Sequence, residues 1–150
     1  MQFDEAAMAD RGKAVIRRTF AASREVLFDA MFDPAMIERF WGPPGMTAPA
    51  DRTVIEPVVG GRFETVMVND ETGEEFAGSG VYTVIDRPST LAFVEPGLDM
   101  LTTSTYTDLG DGSTELVITQ SNVPAPFRSP EALAGFEASL GRLAAIVEPG

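Results

Sequence analysis

The run Gly42-Pro43-Pro44-Gly45 is the strongest constraint on how this chain folds. Two prolines between two glycines extend neither a helix nor a paired strand, so whatever precedes the run must stop there. The residues before it carry helical spacing. Ser23 is placed to cap a helix over 24–32, apolar over most of its circumference through Val26, Leu27, Phe28, Ala30, Met31 and Phe32. Asp33-Pro34 restarts the chain as cap and first-turn proline, and Met36, Ile37, Phe40 and Trp41 share the stripe that follows. Trp41, the only tryptophan, therefore leaves the second helix directly against the stop.

After the run the punctuation is that of strands. Segments 52–56, 62–68, 75–86, 90–95, 101–108 and 114–121 are rich in β-branched and aromatic residues, and Gly60-Gly61, Thr72-Gly73, Pro88-Ser89 and Gly110-Asp111-Gly112 separate them. With a strand over 13–21 ahead of the helices, Ile16 and Phe20 on one face, the pattern predicts an α+β fold built on an antiparallel meander. Gly78 and Gly80 mark curvature or a close backbone approach. Ser129-Pro130-Glu131 then opens a last helix whose stripe is Leu133, Phe136, Leu140, Leu143 and Val147. At about 1.5–3 kcal/mol per large side chain, that stripe contributes at most about 7–15 kcal/mol, more than Gly135 and Gly141 cost.

Length and composition bound the function. The 150 residues predict one domain over 13–150, preceded by a loosely ordered leader over 1–12 with neither a basic start nor an apolar run. No stretch approaches the roughly 20 apolar residues of a membrane span, and with no targeting signal read in the leader the expected compartment is the cytoplasm. Twenty-three acidic residues against 11 basic ones give a net charge of −12, and Lys13 is the only lysine. That surface disfavours nucleic acid and membrane partners. The absence of cysteine and histidine removes disulfides, thiolate nucleophiles, thiolate zinc sites and imidazole bases. The acidic run 69–75 lacks the ligand spacing of a calcium loop and reads as a solvated hairpin tip, so neither metal nor cofactor is expected.

Several segments in this order carry a family likeness: Phe40-Trp41-Gly42-Pro43, Pro57-Val58-Val59-Gly60-Gly61-Arg62-Phe63, Gly80-Val81-Tyr82 with Arg87-Pro88 and Leu91-Ala92-Phe93, Thr114-Glu115-Leu116-Val117-Ile118-Thr119-Gln120, and Gly135-Phe136 with Ser139-Leu140-Gly141-Arg142-Leu143. Together they resemble the bacterial proteins similar to the activator of heat-shock-protein-90 ATPase, in the START-like (SRPBCC) superfamily of helix-grip folds. The resemblance implies a seven-stranded antiparallel sheet wrapped round the C-terminal helix, two small helices plugging one end, and a hydrophobic small molecule held between sheet and helix. Phe136 stands where relatives often show tryptophan, so no ligand identity carries over.

The predicted wall of such a cavity is Phe28, Met31, Trp41, Phe63, Met67, Phe76, Tyr82, Phe93, Tyr106, Phe136 and Leu140. Core packing alone also accounts for each of them. Tyr82 and Tyr106 are the only phenols, each able to bond a ligand carbonyl or to satisfy itself at the sheet edge. Glu64 would be a general base if its strand face pointed inward, and an exposed ion pair with a neighbouring strand otherwise. No catalytic constellation is visible. Binding of a hydrophobic small molecule is the expected function; the alternatives are a polyketide cyclase-like enzyme using carboxylate and tyrosine acid–base chemistry, and an interaction module whose acidic surface docks a basic partner such as a chaperone. A homodimer is a further partner the sequence allows.

Overall fold

Residues 12–149 are described in the computed structural model, so the leader expected over 1–12 lies, Gly12 apart, outside the described residues. Strand β1 is Ala14–Phe20, with Ala14, Ile16 and Phe20 buried on one face. Helix α1, Arg24–Ala30, starts where the Ser23 hydroxyl accepts the Val26 amide. It ends two residues earlier than the periodicity predicts. The Met31 and Phe32 amides turn to the carbonyls of Phe28 and Asp29, because the residue before Pro34 must leave the helical region. Asp33 then caps α2, Pro34–Phe40, by accepting the Ala35 amide.

The remaining strands are β2 (Met46–Thr47), β3 (Val54–Ile55), β4 (Arg62–Asn69), β5 (Glu75–Asp86), β6 (Thr90–Glu95), β7 (Met100–Asp108) and β8 (Thr114–Ser121). They form one antiparallel sheet in the order β1-β8-β7-β6-β5-β4-β2, with β3 also paired to β4. Among the described residues the count is eight where seven were expected. The extra strand, β2, is two residues long and pairs with Asn69 and Val68, too short for any alternation to announce it. The strand expected over 52–56 is cut to Val54–Ile55, because 50–52 wind into a 3-10 turn behind Pro49.

Curvature sits where the glycines predicted it. A side chain at Gly80 would come within 3.1 Å of the Phe93 ring, and β5 carries a register shift between Tyr82 and Val84. Helix α3, Pro130–Val147, begins with the Ser129 hydroxyl accepting the Ala132 amide and lies along the inner face of the sheet. Leu140 and Leu143 are buried, whereas Leu133, Phe136 and Val147 are half-covered at the edge of the core. Only those two leucines contribute fully, about 3–6 kcal/mol between them, so the stripe falls short of the upper bound above. Phe20, Leu27, Phe28, Ile37, Phe40 and Tyr82 make the centre of the core, where α1 and α2 close one end of the sheet.

Candidate functional site

Helix α3 grips the junction that follows α2. The Ser139 hydroxyl donates to the Phe40 carbonyl at 2.6 Å, and Arg142 donates to the Gly42 carbonyl. Gly135 lies against Pro43, where an added Cβ would stand 2.9 Å from the ring. Spacings of four and three put residues 135, 139 and 142 on one stripe of the helix. The Phe40 carbonyl belongs to the last turn of α2 and has no helical partner, so α3 supplies one. This clasp fixes Trp41, whose ring meets Phe63 edge-on at 5.4 Å and Phe40 at 6.2 Å.

Strand register settles which side chains face α3. Phe63, Thr65 and Met67 on β4, Gly78, Gly80 and Tyr82 on β5, and Leu91, Phe93 and Glu95 on β6 share the concave face. At its closed end the face is filled by stacked rings: Phe63 on Tyr82 at 5.8 Å, Tyr82 on Phe32 at 5.5 Å, and Phe32 on Phe28 at 5.4 Å. Phe28 then meets Tyr106 at 5.5 Å. At the other end the cover is incomplete. Trp41, Met67 and Phe136 are half-buried, and Phe76 is 42% exposed.

The eleven predicted wall residues thus divide. Phe28, Phe63, Tyr82, Phe93, Tyr106 and Leu140 are buried among core side chains, and Met31 packs on the same cluster beside the α1 plug. Trp41, Met67, Phe76 and Phe136 stand at the open end. None of the eleven lines the open groove of about 520 Å³ found at the rim between Pro43–Met46 and Asn69–Glu71. That groove escapes sequence reading because two separate turns build it.

The polar groups differ sharply in satisfaction. Tyr106 is hydrogen-bonded to Ser104, and Gln120 donates to the Thr102 hydroxyl at 3.3 Å. The Tyr82 hydroxyl is buried and has no partner among the described residues, and burial raises its pKa. Neither phenol sits at a sheet edge. Glu64 points to the outer face and pairs with Arg62 of its own strand at 3.7 Å, rather than with a neighbouring strand. Arg62 also holds Glu56 at 3.2 Å. The carboxylate that does face inward is Glu95, which sequence reading missed although its two-residue spacing from Phe93 was visible. Burial raises the Glu95 carboxyl above its ordinary value. The acidic tip is a solvated turn, as expected: Asn69 accepts the amides of Glu71 and Thr72, and Asp70 accepts the Thr47 hydroxyl.

Comparison with known proteins follows the same outline. The activator of Hsp90 ATPase homolog 1-like protein family matches residues 21–148. The chain belongs to this family. A crystal structure of a protein from Chromobacterium violaceum, 25% identical, superposes with a TM-score of 0.83 and covers 92% of this chain and 99% of its own. The family member from Silicibacter pomeroyi, also 25% identical, gives 0.70 over 89% of this chain and 96% of its own. A solution structure of an AHSA1-like protein from Aeromonas hydrophila, 21% identical, gives 0.74 over 89% and 90% and shares the fold. No curated protein matches the chain. The helix-grip architecture of the START-like superfamily is therefore that of this family member. Among the described residues, no helix is long and apolar enough to cross a membrane.

Proposed function

We propose that this protein binds a hydrophobic small molecule at the open end of the concave face, between α3 and strands β4 to β6. One observation carries the reading: Trp41, Met67 and Phe136 are only half-covered, and Phe76 is exposed, at the end of the sheet where Ser139 and Arg142 clasp α3 to the end of α2. Apolar side chains so placed lose burial free energy that a ligand would restore, about 25 cal/mol per Å² covered.

An enzyme on this scaffold has one observation in its favour, the desolvated Glu95 carboxylate, which would serve as the base. The binding reading is the stronger, because Glu95 forms no ion pair with a second ionisable group among the described residues.

Gentle-ionisation mass spectrometry of freshly purified protein, paired with titration of apolar probes against Trp41 fluorescence, tests the proposal. Extra mass or saturable quenching is expected, weakened in Phe136→Ala. Bare chain mass together with no quenching by any probe would remove the support.

A further inference from the structure

We propose that Glu95 selects the head group of the ligand: the molecule taken up is an amphiphile bearing a protonated nitrogen, with its apolar tail along Trp41, Met67 and Phe136. This rests on the binding reading above and names the class of molecule. The placement comes from register. Glu95 pairs with Met100, which is 6% exposed, and follows Phe93 by two residues, so it stands on the concave face at the open end. On the neighbouring strand the same face carries Gly78, where an added Cβ would meet only the Thr65 hydroxyl at 3.4 Å, and Gly80, which the Phe93 ring covers. Glu95 is half-buried, yet its side chain takes part in no ion pair or hydrogen bond among the described residues.

A carboxylate in that position has lost water and gained nothing. A bound ammonium would return a charge-assisted hydrogen bond in a half-dry setting, whereas a carboxylate head would add repulsion. Two arginines bear on this face: Arg18 lies on β1, three strands from β6, with its guanidinium 5.6 Å over the Phe20 ring, and Arg142 of α3 donates to the Gly42 carbonyl. The net charge of −12 acts in the same sense as Glu95, concentrating cations and excluding anions around the mouth. The desolvation that raises the Glu95 carboxyl is the cost a cation would offset.

The test compares three probes with the same twelve-carbon tail, dodecylamine, dodecanol and dodecanoate, titrated below their micelle concentrations against Trp41 fluorescence at neutral pH. The amine is expected to bind about tenfold or more tighter than the alcohol, and the alcohol tighter than the carboxylate. Glu95→Gln should bring amine and alcohol to within about threefold while the alcohol keeps its affinity, which also reports an intact fold. The inference is overturned if the wild type binds all three equally. It is overturned too if Glu95→Gln keeps the amine preference, or if Asp70→Asn with Glu71→Gln abolishes it, which would place the amine in the rim groove. Failure of every probe to bind would sink the binding reading itself, and the inference with it.

Discussion

Tyr82 is the residue whose chemistry is least complete. Its ring stacks between Phe63 and Phe32, but its hydroxyl is buried without a partner among the described residues. Leaving such a group dry costs about 1–3 kcal/mol, so Tyr82→Phe should raise the unliganded protein's unfolding free energy by about 1 kcal/mol. Urea denaturation checks this, and a loss of stability would mean the hydroxyl is satisfied. Two carboxylates should respond to pH with opposite sign. Arg87 hydrogen-bonds Asp29 and holds its pKa below the ordinary value, so the pair's contribution exists above pH 3.8 and is lost as pH falls through the lowered value. Asp29→Asn therefore costs stability at neutral pH and nothing in strong acid, and the effect is small because both side chains are more than half exposed. Glu95 is raised, so the folded state holds its proton longer and stability falls as pH climbs from 4.5 through the raised value. Glu95→Gln should remove that decline, giving a gain at neutral pH that vanishes below 4.5; stability curves of the variants across pH decide both signs.

At the scale of elements, α3 is a clasp as much as a core helix. Gly141 has open space around it, and Gly141→Ala should add about 1 kcal/mol through helix propensity. Gly135→Ala brings the same propensity but drives a methyl to 2.9 Å from Pro43, so it should lose stability. Ser139→Ala leaves the Phe40 carbonyl without its donor and should cost about 1–3 kcal/mol. Denaturant midpoints of the three variants test the clasp; Gly135→Ala matching Gly141→Ala would refute it. Elements with a chemical signature were legible: the caps Ser23, Asp33 and Ser129 and the hairpin turns stand where the residues put them. What was not legible is what tertiary pairing alone creates. Strand β2 has no alternation of its own, and Ala50–Arg52 could have continued β3 had Pro49 not started a 3-10 turn. The sequence singled out Gly135, Ser139 and Arg142 as markers, but their shared target appears only when α3 meets the end of α2.

For the whole molecule, one end of the grip is packed shut with rings and the other is left open. Both ends were drawn from one pool of apolar residues, which is why sequence could nominate Phe28 and Phe136 alike yet not separate plug from mouth: separation depends on which strand face α3 covers. The inward Glu95 was hidden for the same reason, since alternation fixes a face only once its neighbours are known to be inside. The most direct test of the account uses methionine methyls as position markers. With methyl-13C methionine, saturating dodecylamine should move the Met67 and Met100 signals most, at the open end, while Met31 and Met36 beside the helical plug stay in place. Movement confined to Met46, on the rim groove, or largest at Met31 and Met36, would contradict a ligand held between α3 and the sheet.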